Sequence, residues 1–190
     1  MNLAHYPLME RRQVPNITPL TAARDILPDP PGLNFAALSS YFDQMIAGVT
    51  YLHEQTGYTN VCSMYLPTEF GEEIMRGTRA AVEQLGLNYA GETTHRPDDQ
   101  DFVGALQRLR ADGCQIITGA VGVRAQITIV GTAKRLGWDD AVFLTSSAGF
   151  LEAVAAVPGG GTDGLYAGGG WVDLIARAGT NAAGDEVIGP

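Results

Sequence analysis

Apolar residues fall on one helical face four times along the chain. Phe42, Met45, Ile46, Val49 and Leu52 make the first stripe, and Ile74, Ala81, Val82 and Leu85 the second. Phe102, Val103, Leu106 and Leu109 make the third, and Ile129, Val130, Ala133 and Leu136 the fourth. Spacings of three and four residues place such positions on one side of a helix. Glu72–Arg76 and Arg79–Glu83 stand four apart on the wet side of the second and are expected to pair there. Each stripe ends at a glycine, namely Gly57, Gly86, Gly113 and Gly137, where a left-handed residue can close the last turn. Ser39 or Ser40 is expected to cap the first helix, and Asp99 or Asp101 the third.

Short apolar runs follow the glycines: "NVCSMYL", "LNYAGET", "CQIITGA" and "AVFLTS", with "GLYAGGG" as a fifth. They are nearly continuous rather than alternating, which suits strands covered on both faces. Helix, glycine and strand therefore repeat as parallel βα units. The predicted fold class is α/β, a three-layer parallel sheet with helices on both faces, Rossmann-like or flavodoxin-like in kind. The ends differ. "RRQVPNITPLTAARDILPDPPGLNF" holds several of the prolines and is expected to be a connector with at most one short strand. The tail "RAGTNAAGDEVIGP" lacks an apolar period and is expected to be a loop.

Hydrophobic content of 45% and charged content of 17% mark a packed globular chain. A formal net charge of −9, without a Lys/Arg cluster, excludes a nucleic-acid partner. No apolar window is long enough for a membrane-spanning helix, and the N-terminus lacks the order of a signal peptide. Cys62 and Cys114 sit in apolar runs without metal spacing or a disulfide framework, and are expected as small buried thiols.

Ligands of open parallel sheets gather beyond the carboxyl ends of the strands. Four corners lie there: "YLPTEF", "THRPDDQD", "TGAVGVR" and "TSSAGF". "TGAVGVR" lacks the third glycine of a dinucleotide loop, and "TSSAGF" is not a nucleophile elbow. Ser146 or Ser147 is expected to cap a helix starting near Phe150. Asp98, Asp99 and Asp101 suit a helix N-terminus better than a metal, and no His pair has ligand spacing. In "MYLPTEFGEEIMRG", Pro67 and Thr68 turn the chain, Gly71 lets a helix start close to the sheet, and Glu69, Glu72 and Glu73 suit its N-terminus. No corner holds a catalytic set, so neither catalysis, a metal nor a cofactor is expected; the chain reads as a binder.

The order of these corners resembles the type I periplasmic-binding-protein family, specifically the solute-binding receptors of branched-chain amino acid ABC transporters. The resemblance covers roughly residues 12 to 172. It is carried by "VPNITPLTAA", a helix with Gln44 near its start, the "GY–NV" opening of a strand, and "YLPTEFGEEIMRGTRAAVEQLG" with Phe70 where the family has Tyr. "DDQDFVGALQRLRADGCQIITG", "AKRLGW" and "GTDGLYA" continue it in the family's order.

The resemblance implies a two-lobed receptor that closes on a small ligand about a hinge and hands it to a membrane permease in the periplasm. Residues 1–34 would end the first lobe and form the hinge connector, and residues 35–190 would be most of the second. The chain would then lack a signal peptide and the rest of the first lobe, exposing apolar surface through which two copies could pair. The residues expected at the ligand are Leu20, Thr21 and Ala22 in "PLTAA", with Gln44, Phe70, Val121, Ser146 and Ser147. Where the family's receptors place an acid for the ligand ammonium, this chain has Ser146 and Ser147. A buried ammonium without a carboxylate is costly. A carboxylic or aromatic acid therefore fits better than a free amino acid. The alternative is a ligand-sensing domain of a receptor or regulator with the same fold.

Overall fold

The computed structural model describes residues 6–18, 23–26, 32–169, 178–180 and 186–188. The chain opens with α1 (Tyr6–Arg11), β1 (Asn16–Thr18), a 3-10 turn at Arg24–Ile26 and β2 (Asn34–Ala36). The repeating part follows: α2 (Tyr41–Thr56), β3 (Asn60–Tyr65), α3 (Glu69–Leu85), β4 (Asn88–Thr94), α4 (Val103–Ala111), β5 (Ile116–Ala120), α5 (Val123–Arg135) and β6 (Val142–Ser146). A 3-10 turn at Ser147–Gly149, the short α6 (Glu152–Ala155) and β7 (Leu165–Gly168) complete it, before β8 (Ala178–Thr180) and β9 (Glu186–Ile188).

Five strands form one parallel sheet in the order β4-β3-β5-β6-β7. Val61, Tyr65, Ile116, Ala120 and Leu144 turn to one face and pack with Met45 and Val49 of α2 and Ile74 and Ala81 of α3. Cys62, Met64, Ile117 and Phe143 turn to the other and pack with Leu106 and Leu109 of α4 and Ile129 and Val130 of α5. Helices on both faces explain the unbroken apolar runs. The three-layer α/β expectation is met.

The four stop glycines behave as their placement requires: Gly57, Gly86, Gly113 and Gly137 have φ of 72°, 65°, 77° and 63°. Ser40, not Ser39, caps α2 by accepting from the Asp43 N–H. At α4 the residue before the helix is Phe102, which has no capping side chain. Asp101 instead accepts from the Val103 N–H, and Asp99 from the Arg96 N–H in the preceding turn.

Several expectations need correction. Cys62 and Cys114 are buried, but they are joined in a disulfide, with Cα atoms 5.8 Å apart. Fifty-two residues separate them in sequence, and only the adjacency of β3 and β5 brings them together. The connector carries two strands rather than one at most: β1 and β2 pair in parallel, with Ile17 opposite Phe35. The tail carries the antiparallel pair β8–β9. Strands of three residues are too short to show a period of two. Arg79 pairs with Glu92 on β4, at 3.0 Å, rather than with Glu83 on its own helix. The ring of Tyr89 under its guanidinium, 4.1 Å away, holds it toward the sheet.

Candidate functional site

In this strand order the chain reverses its winding between β3 and β5, the place where ligands of such sheets gather beyond the carboxyl ends. The turns after Tyr65, Ala120 and Ser146, three of the four corners named from sequence, lie side by side at that end of the sheet. Gly71 is fixed by this geometry: a Cβ there would lie 1.9 Å from the Leu66 carbonyl oxygen, so only glycine lets α3 begin so close to β3. Thr68 caps that helix by accepting from the Gly71 N–H. Glu69 and Glu72 occupy its first turn, as expected.

Glu73 does something else. It is 3% exposed, and one carboxylate oxygen accepts from the Arg24 N–H at 2.9 Å and the Phe42 N–H at 3.3 Å. Burial pushes its pKa up, against the two backbone donors. Tyr65 at the end of β3 is likewise pushed up, by burial first and then by Glu92, to which its hydroxyl donates.

Gln44 and Ser147 are brought together. The Gln44 side chain, 3% exposed, donates to the Ser39 carbonyl and accepts from the Ser147 N–H, both at 2.9 Å. It thus ties the start of α2 to the β6 corner. Ser146 is fully buried, and its hydroxyl accepts from the Ala148 N–H, capping the 3-10 turn rather than a helix near Phe150. Val121 is 4% exposed and packs in the core on the α4–α5 face. Phe70 is half-buried on the opposite face, edge-on to Tyr41 with ring centres 5.0 Å apart. Leu20, Thr21 and Ala22 lie outside the described residues.

Sequence reasoning missed two features. A groove of about 450 Å³ runs from Gln44 along α2 to β7, lined also by Gly48, Tyr51, Leu144, Tyr166 and Gly168. Tyr51 and Tyr166 come together only because β7 packs beside α2, with ring centres 6.5 Å apart. The second is Gln126 on α5, fully buried against Gly119, whose amide has no hydrogen-bond partner among the described residues. An enclosed amide without partners costs stability. Gln126→Met, similar in length and apolar, is expected to raise the unfolding free energy by about 1–2 kcal/mol, read from urea denaturation.

Among the described residues no three His, Cys, Asp or Glu side chains gather as a metal site would require. None of the described helices is long and apolar enough to cross a membrane.

Known structures share this architecture. A branched-chain amino acid ABC transporter protein from Thermus thermophilus, solved with bound valine, is 22% identical with a TM-score of 0.76, covering 87% of this chain and 43% of its own. A fatty acid ABC transporter substrate-binding protein from Thermomonospora curvata is 22% identical with a TM-score of 0.72, over 86% of this chain and 42% of its own. A solute-binding protein from R. palustris in complex with 4-hydroxybenzoate is 15% identical with a TM-score of 0.63, over 80% and 43%. At these identities the likeness shows the fold, and the chain spans less than half the length of each protein. No curated protein matches the chain. The family model described as "Periplasmic binding protein" matches residues 3–186, nearly the full chain. The chain belongs to the periplasmic binding protein family.

Proposed function

We propose that the chain is the greater part of one lobe of a solute receptor of an ABC transporter, binding a small carboxylic or aromatic acid. In this reading residues 1–34 end the other lobe and form the connector, and residues 35–190 make the ligand-binding lobe. The partner that receives the solute is a membrane permease, and the role is binding rather than catalysis.

The observation that carries the ligand class is the neutral β6 corner. Ser146 spends its hydroxyl on the Ala148 N–H, and Gln44 spends its amide on Ser39 and Ser147. Neither supplies a charge for a ligand ammonium, whose burial would go uncompensated. The relatives' bound or named solutes are valine, a fatty acid and 4-hydroxybenzoate, so acids with and without an amine occur among proteins of this fold. A periplasmic site of action is supported by the Cys62–Cys114 disulfide, since such bonds persist in oxidising compartments. Ile17 and Phe35, 68% and 51% exposed and opposite each other in β1–β2, are the apolar surface through which copies of the chain could pair.

A thermal-shift panel tests the reading. 4-Hydroxybenzoate or a medium-chain fatty acid is expected to raise the melting temperature more than valine or leucine at equal concentration, because ligand that binds only the folded chain stabilises it. A larger shift with valine would overturn the argument from the neutral corner. A shift with nucleoside phosphates alone would overturn the receptor reading.

A further inference from the structure

We infer that Glu73 is a latch that fixes the connector to the α2–α3 layer, so that residues 23–26 move with that lobe and do not bend as part of a hinge. This rests on the two-lobed reading above for its purpose, and on local geometry for its existence. Three parts of the chain meet at one carboxylate oxygen. Glu73 comes from the first turns of α3, the Arg24 N–H from the connector's 3-10 turn, and the Phe42 N–H from the start of α2. The two donors are backbone groups, so the latch holds chain position rather than a side-chain conformation.

The surroundings reinforce it. Ile26 is fully buried and Ala23 is 8% exposed, so both ends of the turn are covered. The Arg24 guanidinium lies over the Phe42 ring, 4.5 Å from its centre, joining the same two residues a second time. Gly77 allows α3 to approach: a Cβ there would fall 2.6 Å from the Phe42 carbonyl oxygen. Hinge residues must absorb large changes in φ and ψ. A turn whose backbone N–H is held by a buried acceptor cannot do so without first losing that bond.

The latch needs an acceptor oxygen rather than a charge, which sets its test apart from a general stability effect. Gln at position 73 retains an acceptor of the same reach; Met retains the length without one. Amide hydrogen exchange of the full chain, resolved by residue with NMR, reads the result. Glu73→Met is expected to speed exchange at Arg24 and Phe42 by roughly three- to tenfold, the scale of one net uncharged hydrogen bond, while β3 and β5 stay protected. Glu73→Gln is expected to stay close to wild type. Arg24→Pro, at the first position of the turn where proline's φ is tolerated, removes one donor and leaves Glu73 in place. It is expected to speed exchange at Ile26, and it serves if Glu73→Met does not fold. Unchanged exchange at Arg24 in Glu73→Met, or at Ile26 in Arg24→Pro, would overturn the latch. So would a Glu73→Gln variant that behaves like the Met variant. No ligand is involved, so the outcome stands whether or not the solute-receptor reading does.

Discussion

Replacing Cys62 and Cys114 together by alanine is expected to lower the unfolding free energy by about 4 kcal/mol, the chain-entropy value for a loop of this size. The bridge closes a sequence separation of 52 residues and joins the interior strand β3 to the residue pair before the central strand β5. Both sulfurs sit in the packed face beneath α4, Cys62 fully buried and Cys114 4% exposed. Alanine leaves a small space there, but the larger effect falls on the unfolded chain, which regains the freedom the bridge removes. For a domain of this length the loss corresponds to a fall in melting temperature on the order of 10 °C. Calorimetry of the double variant, and of wild type with and without reductant, checks it. A melting temperature unchanged by the double substitution would mean that the bridge adds nothing to the fold.

Gln44→Leu should be the most damaging single change at these corners. Leucine fits the space but leaves the Ser39 carbonyl and the Ser147 N–H without their present partner. With two backbone groups stranded near the surface of the core, the expected loss is about 2–4 kcal/mol in urea denaturation. Gln44→Glu separates the two bonds. It keeps an acceptor for the Ser147 N–H and loses the donor to Ser39, so its loss should be intermediate. It also places a negative charge at the β6 corner, where the account expects an acid ligand, and should weaken binding of 4-hydroxybenzoate. Equal stability for wild type and Gln44→Leu would remove Gln44 from the structural account of the corner.

The layered fold was legible because its signal is repeated. Four helices, four closing glycines and the apolar strands all depend on local periodicity and appear in the structure, although in the third stripe Val103 is exposed and Phe102 precedes the helix. What escaped depends on strand order. Cys62 and Cys114 give no motif in sequence, and they meet only because β3 lies next to β5. Glu73 reads as one of several acids at a helix start, and its role comes from two N–H groups 31 and 49 residues away. The β1–β2 and β8–β9 pairs are too short for any period to register.

The candidate site divides in the same way. The sequence suggests Ser146 or Ser147 as a helix cap; Ser146 is a cap, though for a 3-10 turn rather than a helix. Gln44 and Ser147 were singled out separately through the family resemblance; the bond between them appears only in three dimensions. Tyr51 has no motif around it, and "GTDGLYA" around Tyr166 says nothing of its neighbour on α2, so nothing in sequence marks the groove between α2 and β7.

The corners beyond β3, β5 and β6 are proposed to take a small acid without needing an amine on it. Titrating the isotopically labelled chain with 4-hydroxybenzoate, and in parallel with valine, tests it most directly by NMR. 4-Hydroxybenzoate is expected to shift the amide signals of Phe70, Val121 and Ser147 in a saturable way, with valine producing smaller shifts at the same concentrations. Shifts confined to the amino ends of the strands, or valine saturating the same signals at lower concentration, would contradict it.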